Sequence, residues 1–312
     1  MKKNFTYKRL LPFLGVLLLA FILFYLIDLK TLLQTLKQVN YLYLIPVFLL
    51  TFLLLGLKSL RWQILMRKQN IKYSLIESFA IYSVAIFFSL VTPGKIGELA
   101  KVLYLRQDGH SVARSLVSII LDRLFDFFFL VFMALLGFII FIQFFSQEII
   151  YLLASLFIVL LTTYLLAKSK IYLKLLKFIV PYRFHSQFFE NLQVFLSDLK
   201  KYKLPDYFKS TALTLLAWLV YICQIYCLSL SLNLNLNFLY LIPMISVANA
   251  TDLLPISFNG LGTREAVFIF FFSLIGLSAE KATALGILQL FIVFFTALIG
   301  FYFWLKKPLL KK

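Results

Sequence analysis

The sequence predicts an all-α polytopic integral membrane protein: six full transmembrane helices plus two broken, re-entrant helical hairpins, or about eight spans if the hairpins cross. Three observations predict it. Of 312 residues, 62% are hydrophobic and 14% charged, and mean hydropathy is +0.94, whereas soluble domains are about 45–50% apolar. Apolar runs recur at roughly the 17–25 residues a helix needs to cross a bilayer. Two short segments rich in glycine and charge interrupt those runs. No long polar tract marks off a soluble unit, so residues 1–312 read as a single membrane domain.

The first run, Leu10–Ile27, follows Lys2, Lys3, Lys8 and Arg9. Such a flank also precedes signal peptides, but no small-x-small cleavage site follows, so the run is read as an uncleaved span. Tyr41–Leu57 is the second span. Tyr73–Leu105 comes next, broken by the first motif. Phe127–Phe145 and Ile149–Ala167 are two more spans. The loop Lys168–Lys209 is basic. Within it Lys170, Lys174 and Lys177 share one face of Ile171–Val180, and Phe188, Leu192, Phe195 and Leu199 recur at helical spacing. Two amphipathic helices lying on the inner leaflet fit this pattern. A docking surface for a partner enzyme also fits, which would make the chain an accessory subunit of a lipid-modifying enzyme. Ala212–Leu232, the interrupted region Phe238–Leu277 and Ala282–Leu305 complete the set.

Charge orients the chain. With both termini on the cytoplasmic side of the cell membrane, only Lys30, Lys37 and Lys281 of the 31 basic residues fall outside, and Arg264 sits within the second motif. This is the positive-inside pattern. It sets the net charge of +18 against anionic lipid head groups, so no nucleic-acid partner is needed to explain it. Basic residues flank both ends of Tyr73–Leu105, so this region enters and leaves on one side. Phe238–Leu277 joins two external points, and either dips in or crosses twice. If it dips, the two motifs are related by inversion, the plan of an inverted repeat. The likeness of Gly94-x-Ile96-Gly97 to Asn259-x-Leu261-Gly262 is modest and leaves both readings open.

Enzyme chemistry finds little footing. Cys223 and Cys227 stand one helical turn apart, poorly aimed for a disulfide, and read as small buried residues. The histidines, His110 and His185, lie beside polar stretches. No HExxH, CxxC or His–carboxylate pattern suggests a metal, and no cofactor motif or phosphate-binding P-loop is present. The expectation is a transporter rather than an enzyme, passive or driven by an ion or proton gradient.

The motifs hold the candidate site. In Pro93-Gly94-Lys95-Ile96-Gly97-Glu98 the proline ends a helix, and the glycines permit a tight turn and close approach of a ligand. A helix starting at Ile96 would offer free N–H groups to a phosphate. A plain helix–turn–helix connection accounts for the segment equally well. Arg114, Asp122, Arg123 and Asp126 lead into the span from Phe127, with the aspartates one turn apart on one face. An ionised group costs on the order of 3 kcal/mol at the bilayer centre, so such residues pair or face water. Salt-bridged charges near the membrane surface are one alternative. A magnesium-diphosphate site, as in intramembrane prenyltransferases, is the other and would make the chain a lipid transferase, but further carboxylates are missing. The densest group is Asn249, Asp252, Asn259, Gly260, Gly262, Arg264 and Glu265. Arg264 can grip a phosphate with two N–H groups. Asp252 or Glu265 can hold it in place or carry a proton, as can Glu98. An internally neutralised structural cluster is the competing reading.

Four segments carry a family resemblance: Leu57-Lys58-Ser59-Leu60-Arg61-Trp62, Thr92-Pro93-Gly94-Lys95-Ile96-Gly97-Glu98, Asp122-Arg123-Leu124-Phe125-Asp126 and Gly260-Leu261-Gly262-Thr263-Arg264-Glu265-Ala266. In this order they resemble the membrane domain of bacterial lysylphosphatidylglycerol synthase/flippases and the stand-alone flippase-like proteins related to it. Lys95 and Lys101 stand where the family often has arginine, and Asp122 where it often has glutamate. Charge is kept, but lysine lacks the bidentate fork. The resemblance implies a helical membrane protein that moves a phospholipid or polyprenyl-linked lipid between leaflets. Its anionic or polyprenyl-phosphate head group would be held by Arg264, helped by Arg123 or Arg114. Two-domain members carry a soluble aminoacyl-transferase domain after this region. The sequence ends at Lys312, so lysine transfer to lipid is not expected of it alone.

Overall fold

A computed structural model describes residues 13–90, 92–140, 193–252 and 256–307, and every regular element among them is helical. Helix α1 (Leu14–Phe21) runs on as a π-helical turn to Leu26, then the chain bends by 99° into α2 (Leu29–Lys37). Asp28 fixes the bend by accepting the N–H groups of Lys30 and Thr31, the usual way to satisfy a helix start. Then follow α3 (Leu44–Lys68), α4 (Leu75–Leu90), a 3-10 segment (Pro93–Leu99), α5 (Ala100–Gln107) and α6 (Val112–Ile140). Past a short helix at 193–199 come α7 (Leu204–Ser231), α8 (Phe238–Thr251), a turn at 256–262, α9 (Thr263–Leu274) and α10 (Ala279–Lys306).

Among the described residues, Tyr41–Lys68, Leu204–Ser231 and Ala279–Lys306 are each long and apolar enough to cross a membrane. The bent α1–α2 pair passes the same measure only when its two helices are taken together, as a broken span or a re-entrant loop. The protein is therefore polytopic. The outer faces of these helices present Leu49, Leu53, Leu216, Leu219, Phe291 and Leu298, the surface a hydrocarbon solvent requires. The backbone is satisfied within each helix, as lipid demands.

Two boundaries differ from the sequence expectation. The second span is expected to end at Leu57, but α3 continues to Lys68, which puts Lys58 and Arg61 inside a helix. The span expected from Phe127 begins at Val112, which puts Asp122 and Asp126 mid-helix. Charge marks the end of a lipid-facing run, but not of a helix whose charges meet partners in the protein interior. The expected span Ile149–Ala167 and the amphipathic stretch Ile171–Val180 lie outside the described residues, as do Phe188 and Leu192. Phe195 and Leu199 are described, and they pack on Leu65, Val117, Leu121 and Tyr202. Their apolar face is thus turned to protein rather than to a leaflet.

One order of elements occurs twice: long helix, short apolar helix, glycine-bearing turn, short helix, long helix. The first set is α3, α4, Pro93–Leu99, α5 and α6; the second is α7, α8, 256–262, α9 and α10. Packing exchanges partners between the sets. The leading helices α3 and α7 lie along each other, α4 of the first set packs on α10 of the second, and α8 of the second packs on α6 of the first. Both exchanges run over a glycine of the long helix. A Cβ on Gly300 would stand 2.1 Å from the Ser83 carbonyl oxygen in α4, and one on Gly137 would stand 2.1 Å from Pro243 Cβ in α8.

Two further contacts tie in the chain ends. The Gly15 N–H donates to the Ile256 carbonyl at 2.9 Å, so α1 lies across the 256–262 turn. Past α10, Lys307 Nζ pairs with Asp108 at 3.1 Å, and its carbonyl accepts the Tyr104 hydroxyl. Asp108 also accepts the Tyr73 hydroxyl. Burial pushes the Asp108 carboxyl up, but the hydrogen bonds from Tyr73 and Lys307 outweigh it and hold the group below its ordinary value.

Candidate functional site

Arg61 on α3 is 1% exposed, in an interior where an unpaired guanidinium would be prohibitive. α6 supplies its partners. Arg61 Nε donates to Asp122 Oδ1 at 2.8 Å, and its two terminal nitrogens take Asp126 Oδ1 and Oδ2 at 2.9 and 3.0 Å. The remaining donors reach the Thr214 hydroxyl on α7 and the Asp122 carbonyl. All three Arg61 nitrogens are therefore bonded. Lys101, fully buried on α5, joins Asp122 at 3.3 Å and lies 3.6 Å over the Tyr82 ring. Arg123 stands one residue along α6 but faces outward. It bonds Glu98, the Tyr82 hydroxyl and Asp122 at 2.5, 2.5 and 2.9 Å, yet keeps a third of its side chain exposed.

The first motif does not form the helix start expected at Ile96. It coils as 3-10 helix from Pro93 to Leu99, and α5 opens only at Ala100. The Gly97 N–H is taken by the Thr92 hydroxyl at 2.7 Å and so is not free for a phosphate. Lys95 adopts φ +57°, a left-handed conformation that side chains rarely take. Strain of this kind collects at functional sites, and here it turns Lys95 toward the second motif, with Nζ 3.7 Å from Asp252 Oδ2.

The second motif is a turn on left-handed residues: Asn259, Gly260 and Gly262 have φ of +47°, +82° and +82°. It brings Arg264, at the start of α9, back onto Asp252 at the end of α8. Arg264 Nη2 donates to Asp252 Oδ2 at 2.9 Å and to the Asn259 carbonyl at 2.7 Å. Its Nε and Nη1 have no partner among the described residues, although the residue is 2% exposed. Glu265 serves the backbone instead, accepting the Gly262 N–H at 2.6 Å as a helix cap. Asn249 donates to the Ile245 carbonyl and approaches the Tyr221 hydroxyl.

Both clusters border one cavity of about 230 Å³. Lys58, Lys95, Arg123, Arg264, Glu98, Asp126 and Asp252 all line it, together with Asn249 and Asn259. Leu54, Ile86, Phe127, Ile292 and Val293 make an apolar wall. Of the residues singled out from sequence, Asp122 lies behind the wall, and Gly97, Gly260, Gly262 and Glu265 shape the backbone. Pro93 and Gly94 open the 3-10 segment. Arg114 is elsewhere, half exposed, with Nε 3.9 Å from Asp198. Sequence reasoning missed Arg61, Lys101 and Tyr82 as partners of the aspartates, and Tyr221 and Gln289 as lining residues. Gln289 leaves a trace, as the lone amide in the apolar run Ala282–Leu305. Among the described residues, no three His, Cys, Asp or Glu side chains gather as a metal site would need.

Comparison with known proteins gives one match. A family model described as the lysylphosphatidylglycerol synthase TM region covers residues 12–300. No curated protein and no solved structure matches the chain.

Proposed function

Because the chain belongs to the family of the lysylphosphatidylglycerol synthase transmembrane region, we propose that it is a lipid translocase that carries a phosphate-bearing head group through the cavity between its two motifs. The observation that carries this reading is Arg264: a buried guanidinium with two nitrogens lacking partners, on the wall of a cavity with an apolar side. The Nε and Nη1 hydrogens point to different sides of the guanidinium, so each can give a phosphate oxygen one charge-assisted bond, and a two-pronged grip takes an Nη2 hydrogen from Asp252 or Asn259. Lys95 and Arg123 add positive charge. The cavity is smaller than the roughly 300–1,000 Å³ of drug-sized sites, so it holds a head group while the chains stay in the bilayer. Arriving phosphate competes with Asp252 for Arg264 and Lys95, which makes Asp252 the resident anion of the empty site.

In this reading α4 with α5, and α8 with α9, are two re-entrant hairpins among six spans, related by inversion, and both termini are cytoplasmic. Support comes from the lengths of α4 and α8, 16 and 14 residues, which fall short of the roughly 20 needed to cross. The exchanged packing of the two sets agrees with it. An intramembrane transferase working through Asp122 and Asp126 has less support, since both carboxylates are held by Arg61.

The test is translocation in proteoliposomes of fluorescent phosphatidylglycerol and polyprenyl phosphate, read by dithionite quenching. The wild type should exceed empty vesicles. Arg264→Ala combined with Asp252→Asn, which removes the guanidinium together with the carboxylate it pairs with, should lose at least about tenfold in rate, on the scale of one charged hydrogen bond. Full activity in that double variant would refute the site.

A further inference from the structure

We propose that Gln289 and Tyr221 form an uncharged subsite that selects head groups carrying hydroxyls beyond the phosphate, an inference that rests on the cavity being a head-group site. Gln289 sits within α10, whose apolar window has a mean hydropathy of 2.4, and is 3% exposed. One end of its amide bonds the Tyr221 hydroxyl at 2.5 Å, and the other end has no partner among the described residues. Turning the amide end for end changes which atom is left over, not that one is. A polar side chain placed in an apolar span and left half-bonded has a functional explanation by default. With the amide as assigned, Tyr221 accepts from Gln289 and Asn249, and no described residue accepts its proton. With the amide turned, Tyr221 donates to Gln289 and the spare groups are the Gln289 N–H donors.

Several other uncharged polar groups on the cavity wall are occupied, whereas the Trp218 indole N–H, also on the wall, has no partner among the described residues. Thr51, Ser89 and Thr296 each donate to the carbonyl one turn back in their own helix. Gln224 bonds the Val47 carbonyl and the Thr51 hydroxyl. Spare hydrogen-bonding capacity without charge is therefore gathered at the Gln289–Tyr221 pair and at the Trp218 N–H, whose ring meets Tyr221 edge-on at 5.7 Å. A donor beside an acceptor is the complement of a hydroxyl group, which both gives and takes. An ammonium group is the poorer fit, because Glu98, Asp126 and Asp252 are each paired with a cation. The second Asp252 oxygen packs so closely on Gly260 that a Cβ there would lie 1.9 Å from it. The ligand class is a lipid phosphate bearing an uncharged polyol, whose source is either a glycerol phospholipid or a sugar on a polyprenyl phosphate.

Binding to the purified full chain tests this, using dioleoyl phosphatidic acid, phosphatidylglycerol and phosphatidylethanolamine, and polyprenyl phosphate with and without one hexose. In one of the two lipid series, the wild type should bind the hydroxylated member about ten times more tightly than its bare phosphate, the worth of one or two hydrogen bonds. The series in which this occurs names the source. Tyr221→Phe, which keeps the ring, and Gln289→Leu should each erase that preference while leaving the bare phosphate bound as before. Gln289→Leu should also melt no lower than wild type, since it removes an unsatisfied amide from an apolar helix. Equal wild-type affinity within both series, tighter binding of the ethanolamine lipid, or a preference that survives both substitutions would overturn the subsite alone. Binding of none of the lipids would overturn it together with the translocation reading.

Discussion

Arg61 and Arg264 are both arginines buried beside aspartate, and their surroundings give them opposite roles. Every Arg61 nitrogen is bonded, and two carboxylates and a hydroxyl close around it. Such a residue is structural. Arg61→Ala strips Asp122 and Asp126 of their closest cation, although Lys101, Arg123 and Lys58 still reach them, and breaking a buried pair costs up to about 3–5 kcal/mol. The variant should melt well below wild type in detergent, measured by fluorescence-detected size exclusion. Adding Asp122→Asn and Asp126→Asn should deepen the loss, since Lys58, Lys101 and Arg123 would then keep only Glu98 of this cluster's carboxylates. Arg264 keeps two nitrogens unbonded, and its replacement with Asp252→Asn should cost transport more than stability. Sequence reasoning found Asp122, Arg123 and Asp126 as a group because they share one helix face. It did not find Arg61, 61 residues away from Asp122, because nothing local reveals which distant charge completes a pair.

Among the elements, α1 depends most on backbone proximity. A Cβ on Gly262 would lie 2.0 Å from the Gly15 carbonyl oxygen, and Gly262 also holds φ +82°. Gly262→Ala should therefore cost the roughly 1–2 kcal/mol of a left-handed residue plus displacement of α1, seen as a lowered melting temperature. Gly56 is the control: it is helical with open space around it, and Gly56→Ala should gain about 0.5–1 kcal/mol. The Asp108 clasp gives a pH test. Its carboxyl is depressed in the folded state, so its contribution is full above the unfolded value near pH 4 and fades as pH falls through the lower folded value. Asp108→Asn should lower the melting temperature at pH 7, and the gap from wild type should shrink toward pH 3. Helix existence was legible from apolar runs, but the ends of α3 and α6 were not. Both helices continue past charged residues that the protein interior neutralises.

At the scale of the whole molecule, membrane character and the two interruptions were plain in the sequence, while their meeting at one cavity was not. Only the fold brings Lys95 to Asp252 across 157 positions of chain. The exchanged packing has its own consequence. Neither half of the chain can close its own core: α4 needs the face of α10, and α8 needs the face of α6. Co-expressed as separate chains 1–192 and 193–312, the halves should co-purify, whereas each alone should be cleared by proteolysis. The arrangement is that of two interlocked protomers joined by peptide bond. A half-length protein of this design would be stable only as a dimer, and if the halves are inverted, only one inserted in both orientations at once.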